Sequence, residues 1–164
     1  MDVLISAQPF MLGDRPSSAD FGIYAQLTQL AKFDPTPAEL CLDLAPRVHA
    51  WTDIMDDLSG QSVSEDGWME MKDISARLGD MLVEIGRVYV PALLANAAAL
   101  QAGKKEVECV IDGHSWSQPV FAYHGKCLQW INDEYNLLEV SDKKAVDNIL
   151  AETGCEDLIS TAAN

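Results

Sequence analysis

The stretch FMLGDRPSSADFGIYAQL, residues 10–27, decides how this chain is read. Ser17 stands three residues before Asp20, and an apolar run follows at once. A serine hydroxyl at the N-cap accepts from a free backbone N–H of the first turn, and a carboxylate at N3 reaches back to the N-cap amide. Ser17 and Asp20 therefore predict a capping box, with aspartate in the place more often taken by glutamate. Pro16 and Phe21 occupy the positions of a hydrophobic staple around it. Phe21, Tyr24, Leu27 and Leu30 recur at helical spacing, which predicts a helix over residues 18–31, while Gly22 and Ala25 leave room for a close neighbour. FDPTP, residues 33–37, reads as its stop, because each proline disfavours helical geometry in the residue before it.

Downstream, Pro46 opens a second helix that places Val48, Trp51, Met55 and Leu58 on one face, with Gly60 beyond its end. SGQSVSEDG, residues 59–67, reads as a flexible connection. Ile74, Leu78, Met81, Leu82, Ile85, Val88 and Tyr89 predict the longest helix. Pro91 is expected to kink it, since proline removes a ladder donor and crowds the preceding turn. Leu93, Leu94, Ala97 and Leu100 continue the pattern to Gly103. The period then changes from helical to two: Val107, Cys109 and Ile111 alternate with Glu106, Glu108 and Val110. Asp112-Gly113 supplies the turn of a β-hairpin. Helices over residues 122–138 and 142–153 follow, the second capped by Ser141 and ended by Gly154. The fold class expected is mainly α, a helical bundle with one short β-hairpin.

The chain has 164 residues and a formal net charge of -15. Nucleic acid and anionic membrane surfaces carry the same sign, so neither is expected as a partner. No uninterrupted apolar run approaches the ~20 residues of a spanning helix, and the first seven residues lack the pattern of a signal peptide. A cytoplasmic location is expected. Cys41, Cys109, Cys127 and Cys155 form no C-x-x-C pair, and reduced, mostly buried thiols are the expectation.

LGDRPSSADFGIYAQL, with FDPTP and APRVHAWTDIMDDLSG after it, resembles the C-terminal helical domain of glutathione S-transferases. The resemblance is closer to a bacterial branch in which a D-P-x-P loop joins the capped helix to an APRV-x-AW helix. EIGRVYVPALLANAAAL and IDGHSWSQPVFAYHGKCLQWI are similar to the C-terminal extension of that branch. It implies that residues 1–60 are part of the helical domain and that residues 61–164 are the extension, packing into the same domain. It assigns Ser17 and Asp20 to folding and not to catalysis. It also implies that glutathione, as co-substrate, is held by a thioredoxin-like βαβαββα domain, while the helical domain supplies the wall for a hydrophobic electrophile. No stretch of this chain reads as that domain, nor as the two long helices that open the helical one; a fragment or a natural remnant is expected, inactive alone. The expected partners are a small hydrophobic electrophile and either a thioredoxin-like domain or a second copy in a homodimer. No resident cofactor and no catalytic residue are expected. The alternative is a non-catalytic interaction module, since similar helical domains serve as assembly parts in translation-related complexes.

Three residue groups bear on chemistry. Cys109, His114, His124 and Cys127 surround the hairpin as a ββα zinc unit would. Their spacing departs from zinc patterns, and Cys109 and Cys127 fall on apolar faces, so no metal is expected. A Cys/His nucleophilic pair would need a third, orienting group that the sequence does not supply. Trp116, Phe121, Tyr123 and Trp130 either line an apolar pocket or pack the hairpin on the next helix; Trp116 and Tyr123 are the candidate substrate-binding residues. Asp56, Asp57, Glu65 and Asp66 lack the spacing of a calcium loop and read as solvated.

Overall fold

A computed structural model describes residues 1–160. The protein is mainly helical with a two-stranded antiparallel hairpin. It divides into two compact units, Met1–Leu78 and a second from Gly79 onward.

The first unit holds α1 (Asp2–Ile5), α2 (Ser18–Leu27), α3 (Pro35–Leu44) and α4 (Pro46–Asp56). At the head of α2 the capping box closes. The Ser17 amide and hydroxyl donate to Asp20 Oδ2 at 2.8 and 2.6 Å, and the Met11 amide donates to Oδ1 at 2.7 Å. Asp20 is fully buried, so its two oxygens satisfy donors that water cannot reach. Phe21, the expected staple residue, is 51 % exposed. The apolar core of this unit includes Phe10, Met11, Ala31, Val48, Trp51 and Met55.

Three expectations for this unit need correction. Helix α2 ends at Leu27 and passes into a π-helical turn, Thr28–Phe33. FDPTP ends that turn but also starts a helix: Asp34 is extended, its Oδ1 accepts from the Thr36 amide at 3.3 Å, and Pro35 takes the first position of α3. Proline fits there because the first-turn N–H has no intrahelical partner to lose. Helix α4 buries Val48, Trp51, Thr52 and Met55, and ends before Leu58. Gly67 and Met69 pair with the loop after α1: Asp14 N donates to Gly67 O at 2.8 Å and Met69 N to Leu12 O at 2.7 Å. Gly13 makes that approach possible, with φ +126° and no room for a side chain beside Gly67 O, 2.5 Å from where a Cβ would stand.

Helix α5 (Met71–Glu84) runs across the division; the second unit then has a π-helical turn (Ile85–Tyr89), α6 (Val90–Gln101), β1 (Glu106–Ile111), β2 (His114–Pro119), α7 (Ala122–Leu137), α8 (Val140–Leu150) and α9 (Asp157–Ser160). The irregularity expected at Pro91 lies just ahead of it, in the π turn, which leaves Pro91 in the first turn of α6. Met71–Gln101 is continuous over 31 residues and contains a stretch long and apolar enough by length and composition to cross a membrane. The sequence reading missed this because Glu84, Gly86 and Arg87 interrupt the apolar run. In the second unit its apolar side is used for packing: Val90 and Leu93 form a core with Leu128, Cys155 and Leu158.

Asn96 is fully buried on α6 and clamps the entry to α7, accepting from the Phe121 amide at 2.8 Å and donating to the Phe121 carbonyl at 2.9 Å. The hairpin pairs Glu106 with Pro119 through to Ile111 with His114. Val107 is buried, while Cys109 and Ile111 on the same face are half-buried. Asp112 and Gly113 make the two-residue turn at φ 51° and 77°, the left-handed geometry that such hairpins need. Helix α8 starts earlier than expected. Glu139 is the N-cap, so Ser141 lies inside the first turn, and the helix ends at Leu150, short of Gly154.

Candidate functional site

Helix α4 presents a second stripe besides its buried one. Arg47, Ala50, Trp51 and Ile54 recur at i, i+3, i+4 and i+7, and together with Ile5 and residues 6–10 they line a cleft of about 530 Å³. Three contacts shape it. The Trp51 indole N–H donates to the Pro9 carbonyl at 2.7 Å, which ties the loop after α1 to α4. Gln8 Nε2 donates to the carbonyls of Phe10 and Met11 at 2.8 and 2.9 Å. Arg47 donates from its amide to Asp2 Oδ1 at 2.9 Å and from Nη1 to Oδ2 at 2.7 Å, fastening α1 to the start of α4. The Arg47 side chain beside Asp2 holds that carboxyl below its ordinary value.

Arg47 is the one ionisable side chain lining this cleft, and its charge is matched by Asp2. The Ser6 hydroxyl donates to the Val3 carbonyl and so is already engaged. The cleft therefore offers apolar area chiefly from Ile54 and Ile5 over buried Trp51, and no nucleophile with a base. Its chemistry is that of holding an uncharged apolar molecule. The sequence reading placed Trp51 only in the core; the signal for the cleft was the second i, i+3, i+4, i+7 series on α4.

The residues singled out from the sequence are distributed otherwise. Trp116 is on β2, half-exposed, and its indole donates to Gln118 Oε1 at 3.1 Å. Tyr123 is in the first turn of α7, half-exposed, edge-on to Trp130 at 5.8 Å and tilted against Phe121 at 6.3 Å. Neither lines the α4 cleft, and among the described residues no ring contact joins them. His124 packs its ring edge against Phe121 at 4.8 Å, and Cys109 and Cys127 are half-buried. Among the described residues no group of three or more His, Cys, Asp or Glu is arranged to hold a metal.

Of the carboxylates considered for calcium, Asp56, Asp57 and Glu65 are engaged locally. Asp56 accepts from the Tyr24 hydroxyl, which raises the tyrosine's pKa. Asp57 accepts from the Ser59 amide at 2.8 Å, and the Ser59 side chain together with that amide lowers its pKa. Glu65 lies 3.5 Å from Arg15, whose guanidinium stacks 4.5 Å from the Trp68 ring. For Asp66 the bond is made by its backbone amide, which donates to Ser64 Oγ at 3.3 Å. Compared with known proteins, the chain matches no family model, no curated protein and no solved structure.

Proposed function

We propose that this chain is the substrate-side helical part of a glutathione transferase-like protein. Conjugation of glutathione to a hydrophobic electrophile then requires a thioredoxin-like half that supplies the thiolate. The observation that carries the reading is the Ser17/Asp20 box, buried at the head of α2 with Asp20 also holding the Met11 amide. The stretch containing it is the one whose resemblance to the helical domain of that family is most specific. The α4 cleft supports the substrate side of the reading, because an uncharged apolar electrophile suits its lining. Trp116 and Tyr123 are each half-exposed and remain candidate contacts for such a molecule. The formal charge of -15 supports a cytoplasmic protein whose partners are neither nucleic acid nor membrane.

Positioning and activating the thiolate accounts for many decades of rate in such a reaction, and those groups lie outside the cleft. The chain alone is therefore expected neither to bind glutathione by calorimetry nor to conjugate it to a chlorinated nitroaromatic above background. The nitroaromatic itself is expected to bind saturably, and Ile54→Asp, at a half-exposed position, is expected to abolish that binding. Turnover with glutathione by the chain alone would overturn the need for a second half. Nitroaromatic binding that is absent, or indifferent to Ile54→Asp, would overturn the substrate-side role. A second reading, a non-catalytic interaction module, is favoured by one feature: α3 buries none of its residues.

A further inference from the structure

We propose that α3, with the π turn before it, is the docking face for a basic amphipathic helix of a partner protein. The inference holds with or without the transferase reading and names the partner class for the interaction-module one. Helix α3 buries none of its ten residues. Leu40 and Leu44, one helical turn apart, are exposed, Leu44 at 77 %. Phe33, at 80 %, and Leu30 are exposed in the preceding turn, while Leu42, two residues from each leucine, is exposed on the other side of the helix. Single exposed leucines are ordinary; Leu40 and Leu44 exposed on one face of a helix that buries nothing, with Leu30 and Phe33 exposed in the turn before it, are apolar area of the kind that marks an interaction site.

Charge selects the occupant. Glu39 and Asp43 flank the leucines and stand four residues apart, a like-charge spacing that weakens a helix by itself. Among the described residues neither has an ion-pair partner. The basic side chains nearest in sequence are taken: Lys32 Nζ bonds Asp53 Oδ2 at 2.6 Å, and Arg47 bonds Asp2. A second copy of the chain brings another formal charge of -15 to the same place and is repelled. An incoming strand would need a free sheet edge, whereas the α3 backbone is spent on its own helix. A helix with an apolar stripe bordered by Lys and Arg satisfies both the leucines and the two carboxylates.

The test is calorimetric titration of the chain with an ~18-residue idealised Leu/Lys helical peptide and its Leu/Glu counterpart. Saturable binding of the Leu/Lys peptide, at least about tenfold tighter than the Leu/Glu one, is expected. Leu40→Gln/Leu44→Gln leaves the charge unchanged and is expected to weaken it about tenfold or more. Glu39→Gln/Asp43→Asn is expected to weaken it and to flatten its salt dependence. Circular dichroism confirms folding, which these exposed positions should not affect. Leu/Lys binding indifferent to the leucine substitutions would reduce the effect to adsorption on an acidic surface and overturn the proposal. Equal binding of both peptides would do the same. Dimerisation in sedimentation that Leu40→Gln/Leu44→Gln abolishes would make a second copy the occupant and also overturn it.

Discussion

Gly86, in the π turn between α5 and α6, lies directly against the backbone of Thr153. A Cβ at Gly86 would overlap the Thr153 carbonyl oxygen and come within 2.8 Å of its carbon. Gly154, at φ +81°, completes the contact from the other side. Both obstacles are main chain, which cannot rotate away as a side-chain tip can. Gly86→Ala is therefore expected to destabilise the protein by about 1–3 kcal/mol or more, the range for overpacking, read as a lower urea midpoint. A midpoint equal to that of the unsubstituted chain would mean that this approach is not what the π turn is for.

Asp20→Ala leaves the amides of Met11 and Ser17 without their buried acceptor. An unsatisfied buried donor costs about 1–3 kcal/mol, so a total loss of roughly 2–5 kcal/mol is expected in chemical denaturation. Asp20→Asn keeps one carbonyl oxygen and should fall between the two. A loss under about 1 kcal/mol for the alanine variant would reduce Asp20 to an ordinary surface cap.

Asp112 holds the turn of the hairpin and pairs with Arg87 Nη1 at 2.5 Å. The Arg87 side chain lowers the Asp112 pKa. A carboxyl whose folded value lies below its unfolded value contributes stability above about pH 4, and that contribution is lost as pH falls through the folded value. Amide protection in residues 106–119 should therefore decline in acid. In Asp112→Asn, which keeps the left-handed turn and loses the charge, this decline should be absent. Asp112→Val should melt lowest of the three, because a β-branched residue is strained at φ 51°.

The Cys155 thiol is buried in the second unit and donates to the Leu82 carbonyl at 3.2 Å. Burial raises its pKa above the ordinary thiol value. Because the thiolate is the reacting species, Cys155 should be the last of the four cysteines to react with a disulfide reagent at neutral pH. Mass spectrometry of partly labelled protein checks the order. Cys155 labelled as early as half-buried Cys41, Cys109 or Cys127 would place it outside the core.

What the chain spells out locally was legible from residue order alone. The Ser17/Asp20 box spans four residues, the Asp112-Gly113 turn two, and the alternation of Val107, Cys109 and Ile111 needs only a strand. Each is set by backbone geometry and near-neighbour hydrogen bonds, which sequence spacing encodes directly. Pro35 shows where that fails: the same residue that ends one helical segment is well suited to begin the next, and only the Asp34 cap decides. The π turns, the Trp51–Pro9 bond, the second oxygen of Asp20 on Met11 and the Gly86–Thr153 approach join residues that are not periodic neighbours. So does the placing of the α4 cleft, while Trp116 and Tyr123 stay half-exposed. Those features were decided by tertiary packing, because the energy of a buried contact depends on which surfaces meet, and periodicity reports only that a face is apolar.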